Sequence, residues 1–154
     1  KLRRIIKMKE VTVYIEICRE GINLPKYQNL FDAGMDVAAA EDVKLFPWKT
    51  VVVPTGLKMA IPEGYEIQVR PRSGLSLKTP LRIANAPGTI DTFYRDEVGI
   101  IVTNTDGAFY HIKKGDRIAQ IVLNEVPRIK WEQVNDITSI EGNRNGGFGS
   151  TGSN

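Results

Sequence analysis

Apolar and polar residues alternate with a period of two wherever this chain has a legible rhythm. Val11, Val13, Ile15 and Ile17 are interleaved with Thr12, Tyr14 and Glu16, and Tyr65, Ile67 and Val69 with Glu66, Gln68 and Arg70. Successive side chains of a strand point to opposite faces, so this pattern predicts half-buried strands. Three further runs, KTVVV before Pro54, EVGIIVTN from Glu97 and RIAQIVLN from Arg117, are short, rich in β-branched residues and bounded by Gly, Pro or Asp. Fourteen Gly and eight Pro punctuate the chain, as at Pro62-Glu-Gly64, Ala86-Pro-Gly88 and Lys114-Gly-Asp116. No segment carries a helical stripe three turns long, which limits helix to a turn or two near Ser73 to Leu77. Many short, closely spaced strands predict an all-β fold, a sandwich or a closed β-barrel of jelly-roll type.

Composition narrows the class. With 154 residues, 42% of them apolar, the chain has the size of one domain that can bury a core without staples. No apolar run approaches the roughly 18 residues that span a bilayer, so a soluble protein without a membrane partner is expected. The single cysteine, Cys18, follows an alternating run and reads as a strand residue, which favours a reducing, cytoplasmic setting. The net charge of +3 is concentrated at the start: five of the 21 Lys and Arg lie in the first nine residues, leaving 16 basic against 18 acidic residues beyond them. That body lacks the cationic footprint of a nucleic-acid binder. Residues 1–7 read as a frayed or added terminus. The expected organisation is a single β domain over residues 1–141, followed by a Gly-rich tail over 142–154. The tail has almost nothing apolar to offset its ordering entropy, so it is either disordered or a lid that orders on a ligand.

Several chemistries are excluded by residue count. One His, His111, and one Cys leave no zinc-ligand cluster and no obvious Ser-His-Asp or Cys-His pair. Neither a Gly-Lys-Ser/Thr phosphate loop nor a dinucleotide fingerprint is present. What remains is carboxylates, arginines and glycine-rich turns, in four places: DAGMD at 32–36, PRSG at 71–74, GTIDTFYRDE at 88–97, and the tail with Arg144 and Phe148. Together they hold cations and amides for phosphate, carboxylates for metal or water, and aromatics for a base and a sugar. Taken singly, PRSG reads as a turn or an anion wrap, Asp91 as a cap or a base, and the tail as a plain tail or a lid.

In their order and wording these segments resemble the five motifs of the trimeric dUTPase family, over nearly the whole chain. AGMD at 33–36 is similar to the first motif, PRSGL at 71–75 to the second, NAPGTIDTFYR at 85–95 to the third, GDRIAQ at 115–120 to the fourth and GGFGSTG at 146–152 to the fifth. The resemblance implies a jelly-roll homotrimer with shared active sites. It implies hydrolysis of dUTP to dUMP and pyrophosphate, which supplies dUMP for thymidylate synthesis and keeps uracil out of DNA. Asp91 would be the general base that takes a proton from water attacking the α-phosphorus. Magnesium would be held mainly by the phosphates and water, with Asp36 in its outer shell. Tyr94 would lie under the deoxyribose and exclude a 2′-hydroxyl. The hairpin of Gly88, Thr89, Ile90 and Gly99, with Asn85, would read uracil through the backbone. Arg72, Ser73, Gly74 and Gln120 would hold the phosphate chain, and Arg117 is either a further phosphate contact or half of an ion pair. In the tail, Phe148 would stack on uracil while Arg144, Gly149 and Ser150 close over the phosphates.

Two positions depart from the family pattern. Asp96 stands where a glycine is usual, and Arg144 lies one residue closer to Phe148 than is customary. Two rival readings share the fold. A dCTP deaminase uses a glutamate base where this chain has Asp91, and a binding protein would hold dUTP to regulate a partner without turnover. A ligand-free structural β-module is the third alternative.

Overall fold

A computed structural model describes residues 8–142. Arg144, Phe148, Gly149 and Ser150 lie outside the described residues, as do residues 1–7. Eleven strands follow in chain order: β1 Tyr14–Ile17, β2 Met35–Ala38, β3 Val43–Leu45, β4 Thr50–Pro54, β5 Leu57–Ala60, β6 Tyr65–Arg70, β7 Leu81–Ile83, β8 Gly88–Ile90, β9 Gly99–Asn104, β10 Tyr110–Ile112 and β11 Arg117–Glu125. One short helix, α1 Ser73–Lys78, sits between β6 and β7, and a 3₁₀ turn spans Ile137–Ser139. The all-β, jelly-roll-like expectation and the helix of a turn or two near Ser73 both hold. The described strands form four antiparallel sheets: β2-β11-β6-β8, β4-β9-β7, β1-β5 and β10-β3.

Alternation builds the core. In β9 the side chains of Ile100, Val102 and Asn104 point inward, and in β6 those of Ile67 and Val69 do the same. The apolar ones among these pack with Leu45, Val53, Leu57, Leu81 and Ile112 in one cluster. Asn104 is fully buried yet satisfied: its amide donates to the Ala108 carbonyl at 2.8 Å and the Phe46 carbonyl at 3.3 Å, and its side-chain oxygen accepts from the Asp106 amide at 3.0 Å. In β11 a bulge between Arg117 and Ala119 shifts the register against β2. Consecutive residues Ile118 and Ala119 are both buried there, and so are Ile121 and Val122.

The first predicted strand departs from expectation. Only Tyr14–Ile17 pairs, and all four residues are exposed. Among the described residues the strand has a single neighbour, β5. Its apolar residues Val11, Val13 and Ile15 instead line an open groove of about 270 Å³ with Leu24, Met59 and Ile67. Alternation marks the face that seeks cover, but one ladder partner does not supply it.

Candidate active site

β6 organises the site because it pairs with two site-bearing strands. On one side Val69 opposes Gly88, Gln68 opposes Thr89 and Ile67 opposes Ile90. On the other, Arg70 opposes Gln120 of β11, whose next neighbour is β2 with Asp36 opposite Gln120. Residues from four distant sequence segments are thereby fixed to one sheet.

Asn85, Gly88, Thr89, Ile90, Tyr94 and Gly99 line a cleft of about 180 Å³, joined by Val69, Val98 and Ile101. Gly88 is buried, and a Cβ there would stand 3.1 Å from the Asn85 amide nitrogen and 3.3 Å from the Val69 Cβ. Glycine therefore lets the strand backbone and the Asn85 amide approach the same space. The peptide between Ala86 and Pro87 is cis. The turn after β8 is tied at several points. The Tyr94 amide donates to the Asp91 carbonyl at 3.1 Å, the Thr92 hydroxyl to the Tyr65 carbonyl at 3.1 Å, and the Arg95 guanidinium to the Thr92 carbonyl at 2.6 Å. The Tyr94 hydroxyl donates to the Glu97 carbonyl at 2.9 Å, which holds its ring against the cleft. Asp91 itself is exposed directly after Ile90, and its carboxylate has no hydrogen-bond or ion-pair partner among the described residues.

Asp36 differs. Its carboxylate accepts from Arg72 Nε at 2.8 Å and from an Arg117 guanidinium nitrogen at 3.1 Å. Arg72 also donates to the Arg117 carbonyl at 3.0 Å, so the first, second and fourth motif segments meet at one ion-paired node. Of the two readings of Arg117, the ion pair is present. Gln120 donates from Nε2 to the Pro71 carbonyl at 2.8 Å, pinning the turn that leads into α1. Ser73 and Gln120 share an open cleft with Arg70, Pro71, Ala86 and Pro87. Gly74 lies in the first turn of α1, where backbone amides have no acceptor within the helix.

These residues fall on two sides of one turn. Asn85 and Gly88 face the Tyr94 cleft, while Ala86 and Pro87 face the cleft of Ser73 and Gln120. Arg72 opens onto a third cleft, with Asp116 and Arg117. Among the described residues no cluster of three or more His, Cys, Asp or Glu could cage a metal ion. None of their helices is long and apolar enough to cross a membrane.

Sequence reasoning missed Val69, Val98 and Ile101 in the Tyr94 cleft, and Arg70 beside Ser73. Strand alternation could have placed Val69 and Arg70 on opposite faces of β6. Glu97 lies inside the 88–97 segment but was given no role there, and Arg19, which donates to its carboxylate at 2.7 Å, carried no local signal.

The dUTPase family model matches residues 20–152 of the chain, spanning every element described above except β1. The chain belongs to the dUTPase family. A deoxyuridine 5'-triphosphate nucleotidohydrolase of Fusobacterium nucleatum is 48% identical over 147 residues, covering 94% of this chain and 99% of its own. One from Zymomonas mobilis is 49% identical over 144 residues, covering 91% and 98%. Among solved structures, a Staphylococcus bacteriophage 80alpha dUTPase mutant with dUpNHpp superposes with a TM-score of 0.83 at 29% identity, covering 92% of this chain and 99% of that one. A mutant dUTPase from phage phi11 of S. aureus, in which a structural Mg(II) ion is coordinated, gives a TM-score of 0.75 at 29% identity, covering 82% and 99%. Membership of the dUTPase family makes the chain a hydrolase by family.

Proposed function

We propose that this dUTPase-family chain hydrolyses dUTP to dUMP and pyrophosphate, so supplying dUMP for thymidylate synthesis and keeping uracil out of DNA. The observation that carries this reading is the hairpin cleft of Asn85, Gly88, Thr89, Ile90, Tyr94 and Gly99, followed directly by Asp91, whose exposed carboxylate has no partner among the described residues.

The cleft selects the nucleoside. Backbone groups at Gly88 and Gly99, with the Asn85 amide, present a fixed donor and acceptor pattern to the pairing edge of a pyrimidine. Uracil and cytosine exchange donor and acceptor there, so a pattern set by backbone separates them by leaving polar groups unpaired in the wrong complex. The Tyr94 ring closes the floor beneath the sugar and leaves no room for a 2′-hydroxyl.

Asp91 holds and polarises one water. As that oxygen bonds to the α-phosphorus, its proton passes to the Asp91 carboxylate, and the bond from the α-phosphorus to the bridging oxygen breaks to release pyrophosphate. A carboxylate without a cationic partner keeps its acceptor oxygens for this task. Arg72, Ser73, Gly74 and Gln120 hold the phosphate chain, the arginine by charge-assisted hydrogen bonds.

The donor set fits magnesium carried by the substrate. Magnesium keeps several waters and takes phosphate oxygens readily, and no acidic cage is needed. Asp36 is the residue that would face its water shell: a carboxylate has about four acceptor sites, and Arg72 and Arg117 occupy two. Bound there, the ion would neutralise phosphate charge and orient the chain.

The complete site is shared in a homotrimer. The Tyr94 cleft and the phosphate-binding residues open on different sides of the Asn85 to Gly88 turn, which supports a substrate spanning two copies. Exposed Val52, Ile129 and Trp131 are large apolar side chains that assembly would cover. Residues 142–154, with Arg144, Phe148, Gly149 and Ser150, would close over bound dUTP, and a cytoplasmic setting suits the free Cys18. The test is magnesium-dependent pyrophosphate release from dUTP, together with its loss in Asp91→Asn.

A further inference from the structure

We propose that Arg19 is a positioning residue for the sugar-binding face of Tyr94, acting through Glu97, and that it thereby contributes to discrimination between deoxyribo- and ribonucleotides. This rests on the reading of Tyr94 given under Proposed function.

Arg19 lies just beyond β1, far in sequence from the hairpin it meets. Its Nε donates to Glu97 Oε1 at 2.7 Å and a terminal nitrogen to Oε2 at 2.9 Å, a two-pronged pair that fixes both the distance and the plane of the carboxylate. Its other terminal nitrogen is held by Glu41 at 2.8 Å, which anchors the guanidinium from behind. Glu97 Oε1 also accepts from the Gly56 amide at 2.8 Å. Gly56 has a φ of +71°, and a Cβ there would come within 3.3 Å of the Arg19 Cβ and 2.6 Å of Ile22 Cγ1. The bare glycine is what lets the Arg19 segment lie on the β4 to β5 turn.

The same residue, Glu97, offers its backbone carbonyl to the Tyr94 hydroxyl at 2.9 Å. The adjoining Val98 amide donates to the Leu57 carbonyl at 2.8 Å. Peptide 97–98 is thus held at its amide by β5 and at the Glu97 side chain by Arg19, and it presents its carbonyl to Tyr94. A tyrosine ring that excludes a hydroxyl by bulk works only if it cannot retreat by a fraction of an ångström. Both ends of this ring's tether therefore bear on selectivity. The Glu97 carboxyl is held below its ordinary value, first by the Arg19 hydrogen bonds and further by the Gly56 amide, against the opposing effect of burial, so the pair stays charged at neutral pH.

The experiment compares kcat and KM for dUTP and UTP in the full chain and in Arg19→Met, Glu97→Gln, Tyr94→Phe and the Arg19→Met, Tyr94→Phe double variant. Met keeps an apolar stem over Gly56, and Gln keeps an acceptor for its amide. The expected result is a dUTP-to-UTP preference in kcat/KM reduced about tenfold in Arg19→Met and Glu97→Gln. It should arise mainly in KM, be partly rescued by Arg19→Lys, and show no further loss when Arg19→Met is added to Tyr94→Phe. Additive losses, or an unchanged preference in both folded single variants, overturn the proposal. If the parent shows no preference, or Tyr94→Phe and Tyr94→Ala both leave it intact, the reading of Tyr94 fails first and the proposal with it. A parent preference that collapses in Tyr94→Ala but survives in Arg19→Met overturns the proposal alone.

Discussion

Arg72 donates through Nε to Asp36 Oδ1 at 2.8 Å, joining the second motif segment to the first across 36 residues of chain. Both side chains are only about a quarter exposed, 25% and 23%, and Arg117 approaches the other carboxylate oxygen. The node holds two guanidinium groups that would otherwise repel each other and wander. Asp36→Ala should therefore raise the KM for dUTP roughly tenfold, with a smaller change in kcat, because misplaced phosphate contacts cost orientation. Steady-state kinetics at saturating magnesium measures this.

Asp91 has no such partner among the described residues. Asp91→Asn retains shape and hydrogen bonding but cannot take a proton, so kcat should fall by about 100-fold or more. Binding of a non-hydrolysable dUTP analogue, followed by calorimetry, should stay within a few-fold of the parent.

Gly34 tests the close packing behind Gln120. A Cβ at Gly34 would stand 2.6 Å from Gln120 Oε1 and 3.3 Å from the Ile121 carbonyl. Gly34→Ala should push the Gln120 amide off the Pro71 carbonyl and loosen the turn before Ser73. The expected outcome is a several-fold loss of kcat/KM for dUTP with a destabilisation of about 1–2 kcal/mol, read by urea unfolding.

The Glu97 carboxyl is held below its ordinary value of 4.5, first by Arg19 and then by the Gly56 amide, against the opposing effect of burial. A depressed folded-state value means that the pair's stabilisation is fully present above that ordinary value and is lost as pH falls through the folded value. The melting temperature of the parent should accordingly fall more steeply below pH 4.5 than that of Arg19→Met, in thermal melts across an acid series.

Much of the fold was legible because its longer strands carry the signal. β6 and β9 alternate cleanly inward and outward. Strands of three residues, such as β3, β7, β8 and β10, are too short to show a period at all. β1 shows the period without the burial, because its apolar face meets an open groove and, among the described residues, a single ladder partner. In the candidate site, residues within the motif segments were legible: Asn85, Gly88 and Tyr94 converge on one cleft. The node of Asp36, Arg72 and Arg117 was only half legible, since composition cannot say which arginine will pair. The pairing of Arg19 with Glu97 was not legible, because a contact across 78 residues is fixed by topology and leaves no trace in local spacing.

The most direct test of the central claim is pyrophosphate release from dUTP, dCTP, dTTP and UTP, each measured with magnesium and with chelator. Rapid, magnesium-dependent release from dUTP alone is the predicted result. Ammonia release from dCTP, or binding of dUTP without turnover, would contradict it.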